Sequence, residues 1–366
     1  MPAMGGERSQ IVQALHYFAR PHDGIRRTPV GGAASWRADA LRDEEWVVDL
    51  SDGARFGFDP IESLAEALRG VESLGRPTRE LRREDFRWPR LRPLIEDWRR
   101  RIVGGRGFVL LRGLPVEGWS AAQIERVYWG LGLHLGFPGA QNPAGDLLGH
   151  VRDTGAPADG SVRQYRTNEF IDYHCDLADA VGLLCLRPAS RGGASRIASS
   201  VYAYDELLRR RPDLVERLYE PFRLDTKDEG GVPFIPIEPV RHWRGALRTF
   251  WHGGDFRSVA RHGSDFAPDP RQSEVLALYD EILAEPGVAL EMELQAGDLQ
   301  LLSNHAIVHG RAAFSDGETR GVGEGRHLLR LWLSFAHHDG FAERCSREVN
   351  RARVVARLAR LRLFGA

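Results

Sequence analysis

The chain has 366 residues, 42% hydrophobic and 28% charged, which is the composition of an ordinary folded globule with enough length for one large domain or two. Lys and Arg (50) nearly cancel Asp and Glu (51), so no global field points to nucleic acid or an anionic membrane, and a small molecule is the better default partner. Three cysteines, at 175, 185 and 345, are too sparse to staple the fold, and nowhere do eighteen apolar residues run together, so an untargeted cytoplasmic protein without a membrane span is expected, with self-association left open.

In chain order, residues 23–34, rich in Gly and Pro, read as an early loop. A helix is expected after Asp59, with Pro60 at its first position and Ile61, Leu64, Ala65 and Leu68 forming an apolar stripe that stops near Gly70. "GFVLLRGLPV" (107–116) reads as a buried strand and turn. Ser120 and Gln123 then make a capping box for a helix carrying Ile124, Val127, Tyr128 and Leu131.

From about residue 160 the pattern changes to short apolar runs between turn residues: "VGLLCL", "SRIASSVY", "RTFWH", "LQLLSNHAIVHG" and "HLLRLWLSFA". The expected class is therefore α+β with a mainly β core. A helical pair split by Pro212 interrupts the strands, as does a stretch from 222 to 290 long enough to suggest a lid. The expected organisation is an N-terminal flanking segment (1–104) packed on the core, a main domain (105–340) and a C-terminal basic amphipathic helix (341–366) that packs on the core or on a second subunit.

Two clusters carry chemistry. In "YHCDL", His174 and Asp176 are two apart, so on extended backbone they point the same way and can grip one metal ion. Far downstream, "GDLQLLSNHAIVHGR" offers His305 and His309, and two histidines with one carboxylate on adjacent strands make the facial triad of non-haem Fe(II). In "GRHLLRLWLS", Arg326 and Arg330 would share a strand face; a guanidinium inside an apolar barrel needs an anion, and a dicarboxylate co-substrate would supply one.

These segments, His174-Cys175-Asp176, "RGGAS" (191–195), "HGR" (309–311) and "GRHLLRLWLS", resemble the taurine dioxygenase (TauD/TfdA) family of Fe(II)- and 2-oxoglutarate-dependent oxygenases, and more distantly gamma-butyrobetaine hydroxylase, over roughly residues 105–340. The resemblance implies a double-stranded β-helix (jelly roll) with flanking helices. It implies iron ligands His174, Asp176 and His309, and Arg326 as partner of the distal 2-oxoglutarate carboxylate. Ser195 stands where the family has a threonine bonded to that carboxylate, keeping the hydroxyl but losing the methyl that fixes its rotamer.

Arg330 matches the position that grips an anionic prime substrate, although it would also be placed to assist the co-substrate. Asn168 in "YRTNEF" is a further substrate-side candidate, and His305 becomes a supporting or packing histidine. Trp251, His252 and the 222–270 segment are candidates to cover the cavity. Relatives that halogenate carry a small residue in place of the carboxylate, so Asp176 implies hydroxylation or a related oxidation using dioxygen. The competing readings are a cupin-like metal enzyme of other chemistry and a non-catalytic jelly roll that binds a small ligand; neither needs Arg326 beside a complete triad.

Overall fold

The computed structural model describes residues 22–142, 144–156, 164–227, 232–317 and 325–335; the expected C-terminal helix lies outside them. Two sheets face each other. The larger runs β1 (Val47–Asp49), β2 (Phe108–Arg112), β14 (Leu299–Ser303), β6 (Ala180–Arg187), β17 (His327–Ser334) and β3 (Phe137–Gly139), with β4 (Leu148–Val151) pairing the first half of β17. The smaller runs β13 (Leu290–Met292), β8 (Ser195–Ser199), β15 (Ile307–Arg311) and β5 (Ile171–His174). This is the jelly roll with flanking helices that the family resemblance implies.

Strand periodicity explains the layering. Successive side chains alternate between the two faces of a strand. On β2, Phe108 and Leu110 enter the core between the sheets, whereas Val109 and Leu111 face three helices. On β17, Leu328 and Trp332 face inward and Leu329, Leu331 and Leu333 outward. Both faces are buried, so these strands read as continuous apolar runs, as sheets covered on both sides do.

The helices on the outer face of the large sheet are α1 (Pro60–Glu72), α2 (Arg92–Gly104) and α3 (Ala121–Leu135). The Asp59 carboxylate caps α1 by accepting from the N–H groups of Ile61 and Glu62, and the helix continues two residues past Gly70. The capping box of Ser120 and Gln123 starts α3 as expected. The flanking segment also supplies β1, which pairs parallel to β2. The small sheet is backed by α4 (Ser200–Arg210) and α5 (Pro270–Ala284), whose Tyr204, Leu207, Val275 and Tyr279 pack with Ala198 and Val308.

Three expected strands are shorter than their apolar runs. "SRIASSVY" divides at Ser199, whose hydroxyl accepts from the Tyr202 N–H and turns the chain into α4. "LQLLSNHAIVHG" is not one strand: a turn at Asn304–Ala306 carries the chain from β14 in the large sheet to β15 in the small one, so His305 sits in the turn. "RTFWH" contributes only its first residues to β12 (Ala246–Thr249), and its end bridges His252 to His174.

The stretch 222–290 is built structure rather than a loop. It holds a hairpin of β9 (Phe222–Asp225) and β10 (Phe234–Ile237), a second of β11 (Val240–Trp243) and β12, a short helix at Gly253–Ser258, and α5. One buried carboxylate ties the first hairpin down: Asp225 accepts from the Lys227 amide and ammonium, the Ser258 hydroxyl and the Arg261 guanidinium. Burial alone would raise its pKa, but these donors hold the carboxyl well below the usual range. Asp225→Ala should therefore lower unfolding stability by roughly 1.5–3 kcal/mol, measured by urea denaturation, with β9–β10 losing amide-exchange protection first.

Candidate active site

The site lies between the two sheets, where strand alternation turns His309 and Arg311 of β15, Ser195 of β8 and Arg330 of β17 toward a common pocket. Its wall also includes Val151, Tyr165, Leu183, Leu294, Arg326 and Leu328.

β5 ends at His174, and Asp176 follows on backbone anchored from two sides: the Cys175 N–H donates to the Trp251 carbonyl and the Asp176 N–H to Asn304 Oδ1, at 2.8 and 2.9 Å. β15 pairs His309 directly with His174. Gly310 permits that approach, because a Cβ there would lie 2.6 Å from the Ile171 carbonyl oxygen. As a result His174, Asp176 and His309 offer one ligand atom each, all within 4.8 Å of one another. They form the His/Cys/Asp/Glu group with metal-ligand geometry among the described residues.

Protonation suits a cation. The Nδ1 of His174 is 2.9 Å from the Asp172 carbonyl, which fixes the proton there and leaves Nε2 to face Asp176 at 4.0 Å. Burial pushes this imidazole down to about 3, so it stays neutral and able to ligate. Burial is the largest influence on Asp176 and would raise it, but the Arg330 guanidinium, 3.6 Å away, acting together with His309 and His174, holds the carboxyl well below the usual range. Asp176 Oδ2 lies 3.5 Å from His309 Nε2 and takes no hydrogen bond from the described residues, so a buried carboxylate oxygen is left with a lone pair to offer a cation. Two imidazoles and one carboxylate on one side of a cavity fit Fe(II).

The arginines line the rest. Arg330 donates from Nε to Gln141 Oε1 at 2.7 Å, and its guanidinium carbon sits 4.8 Å from the Tyr165 ring centre and 5.0 Å from that of Trp332. Arg326 is 5% exposed, donates weakly to the Gly193 carbonyl at 3.4 Å, and has an Nη1 without a hydrogen-bond partner among the described residues. Gly193, at φ +77°, is what lets it in: a Cβ there would lie 3.1 Å from Arg326 Nε. Burial lowers the pKa of Arg326, the signature of a cation lacking an adequate counter-charge.

Of the residues singled out from sequence, His174, Asp176, Ser195, His309, Arg326 and Arg330 converge on the pocket. Ser195 is buried there, with its hydroxyl donating to Gln300 Oε1 at 3.0 Å. Asn168 does not converge: its side chain is exposed, and its backbone carbonyl accepts from the Phe314 N–H, while Tyr165 occupies the wall instead. His305 turns away to Asp179 at 2.9 Å, as a supporting residue would.

Among the described residues, no part of 222–290 lines the pocket. Trp251 is fully buried, stacked on Tyr279 at 3.8 Å, and is packing rather than cover. His252 backs the His174 ring at 5.4 Å. Arg311, Gln141, Gln300 and Asn304 were not foreseen. Only Arg311 carried a signal, as a second inward position two residues after His309.

Solved structures share the fold. Asparagine oxygenase in complex with Fe(II), 2S,3S-3-hydroxyasparagine and succinate superposes with a TM-score of 0.57 at 21% identity, over 79% of this chain and 92% of that one. The non-heme iron oxygenase OrfP with Fe and alpha-ketoglutaric acid gives 0.55 at 15%, over 78% and 93%. In sequence, the FR-33289 synthase of Streptomyces rubellomurinus is 32% identical over 85% of this chain and 91% of that protein. A uridine-5'-phosphate dioxygenase of a Streptomyces species is 24% identical over 43% of this chain and 60% of that protein. The profile described as "Taurine catabolism dioxygenase TauD, TfdA family" matches residues 72–332. With the His-Asp-His cluster inside that span, the chain belongs to the TauD/TfdA family of Fe(II)- and 2-oxoglutarate-dependent dioxygenases.

Proposed function

We propose that this enzyme hydroxylates an unactivated C–H position of a small anionic substrate, with His174, Asp176 and His309 holding Fe(II) and Arg326 receiving the far carboxylate of 2-oxoglutarate. The observation that carries the reading is the triad opening onto a pocket whose arginines outnumber its carboxylates: Arg311, Arg326 and Arg330 against Asp176. When bound, iron and 2-oxoglutarate supply with dioxygen the oxidising equivalents for a C–H bond, and succinate and carbon dioxide leave as co-products.

The chain's own groups orient and exclude. Asn304 and the Trp251 carbonyl hold the Cys175–Asp176 backbone, so the carboxylate is placed before any ligand arrives. Ser195 would turn its proton from Gln300 to the co-substrate carboxylate. Arg330, steadied by Gln141 and the Tyr165 and Trp332 rings, faces the substrate side and gives an acidic group its partner. Leu183, Leu294 and Leu328 supply the dry wall that keeps water from the reacting bond. The phosphate named in the uridine-5'-phosphate dioxygenase relative agrees with an anionic substrate.

Anaerobic titration of Fe(II) and 2-oxoglutarate into the protein should produce the visible metal-to-ligand charge-transfer band of the chelate. His174→Ala should abolish it, and Arg326→Ala should weaken 2-oxoglutarate roughly 10- to 150-fold, the equivalent of about 1.5–3 kcal/mol for a charged hydrogen bond. No band in the unaltered protein would remove the main reading.

A screen of small carboxylates, sulfonates, phosphonates and phosphates for stimulated succinate release should then identify the substrate class. For the best acid, Arg330→Gln should raise KM by about 10- to 100-fold while 2-oxoglutarate affinity stays within a few-fold. An unchanged KM would take Arg330 out of substrate binding.

A further inference from the structure

Arg311 is a buried cation that neither the triad nor the substrate side uses. It is 4% exposed and lines the pocket. Its Nη2 donates to two backbone carbonyls, Thr167 (2.9 Å) and Glu169, while Nε and Nη1 are buried without a hydrogen-bond partner among the described residues. Its guanidinium carbon sits 4.7 Å from the centre of the Phe314 ring, and that of Arg326 sits 5.4 Å from the same centre. β15 and β8 pair Arg311 in register with Ser195.

Two like charges and a hydroxyl thus gather at the end of the pocket assigned to the co-substrate. Among the described residues, carboxylates reach them from a distance or through backbone: Asp153 and Glu169 act on Arg311, and Asp316 accepts the Arg326 backbone N–H. Two buried guanidiniums sharing one ring, three of their nitrogens without a hydrogen-bond partner among the described residues, require an anion with several lone pairs.

We infer that Arg311 is a second co-substrate-positioning residue, forming with Arg326, across Phe314, a two-guanidinium seat for the far carboxylate of 2-oxoglutarate. A carboxylate has about four acceptor positions and so serves both forks at once. The Nη2 bonds to Thr167 and Glu169 hold the guanidinium plane in place, so its remaining donors are oriented before the ligand arrives. The inference rests on the function proposed above for the pocket.

The test compares 2-oxoglutarate with 2-oxobutyrate, which keeps the chelating end and lacks the far carboxylate, in anaerobic equilibrium titrations read from the Fe(II) chelate band. Arg311→Gln should weaken 2-oxoglutarate by roughly 10- to 100-fold and change 2-oxobutyrate by less than a few-fold, as Arg326→Gln should. Arg311→Lys, which keeps the charge and the packing, should lose less 2-oxoglutarate affinity than Arg311→Gln and serves as the test should the glutamine variant not fold. The inference is overturned if the Arg311 variants bind 2-oxoglutarate like the unaltered protein, or if both keto acids weaken equally, which is the mark of a purely structural arginine. Failure of the unaltered protein to form the chelate would instead defeat the underlying function, so the two failures read differently.

Discussion

Buried positive charge without matching negative charge is the constraint on which this site depends. Arg311, Arg326 and Arg330 are each less than a tenth exposed, inside a sandwich whose core is built from apolar residues such as Phe108, Leu110, Ile197, Met292 and Trp332. An apolar core tolerates that only when the missing anions arrive as ligands. Asp176 offsets Arg330 in part, but a metal ion recruits the same carboxylate, so loading the metal sharpens the demand for acidic ligands. The fold carries this unsatisfied state because its two helix-backed sheet faces supply apolar burial elsewhere.

Much of this was legible in the chain, and particular residues show why. Asp59–Pro60 and Ser120–Gln123 announce helix starts because capping chemistry is local. The spacing of His174 and Asp176, and the inward alternation of Arg330 between Leu328 and Trp332, follow from strand geometry. Arg326 was singled out with Arg330 by their spacing, and the resemblance then gave it the co-substrate role and chose His309 over its rival His305.

What escaped depends on contacts between distant segments. Asn304 looks like any turn asparagine until its carbonyl is seen holding the Asp176 amide. Gln141 has no local signature, yet it fixes Arg330 through both that residue's side chain and its backbone carbonyl. Asn168 was near in sequence but lies on the outside of its loop. The 222–290 stretch read as loop because its Pro, Gly and Asp residues are turn formers; the same residues make tight hairpins once Asp225 gathers Lys227, Ser258 and Arg261 around it.

The strand that presents His174 lies at the rim of the small sheet. β5 has four residues and, among the described residues, pairs with β15 alone in that sheet, with a shift of register between His309 and Arg311; a bridge to His252 supports its far side. A short border strand of this kind opens more readily than the sheet interior. A cation shared by His174, Asp176 and His309 would stitch that border to its neighbour, joining segments more than a hundred residues apart. The resistance of this corner to heat and proteases therefore becomes a gauge of how fully a given preparation is metallated.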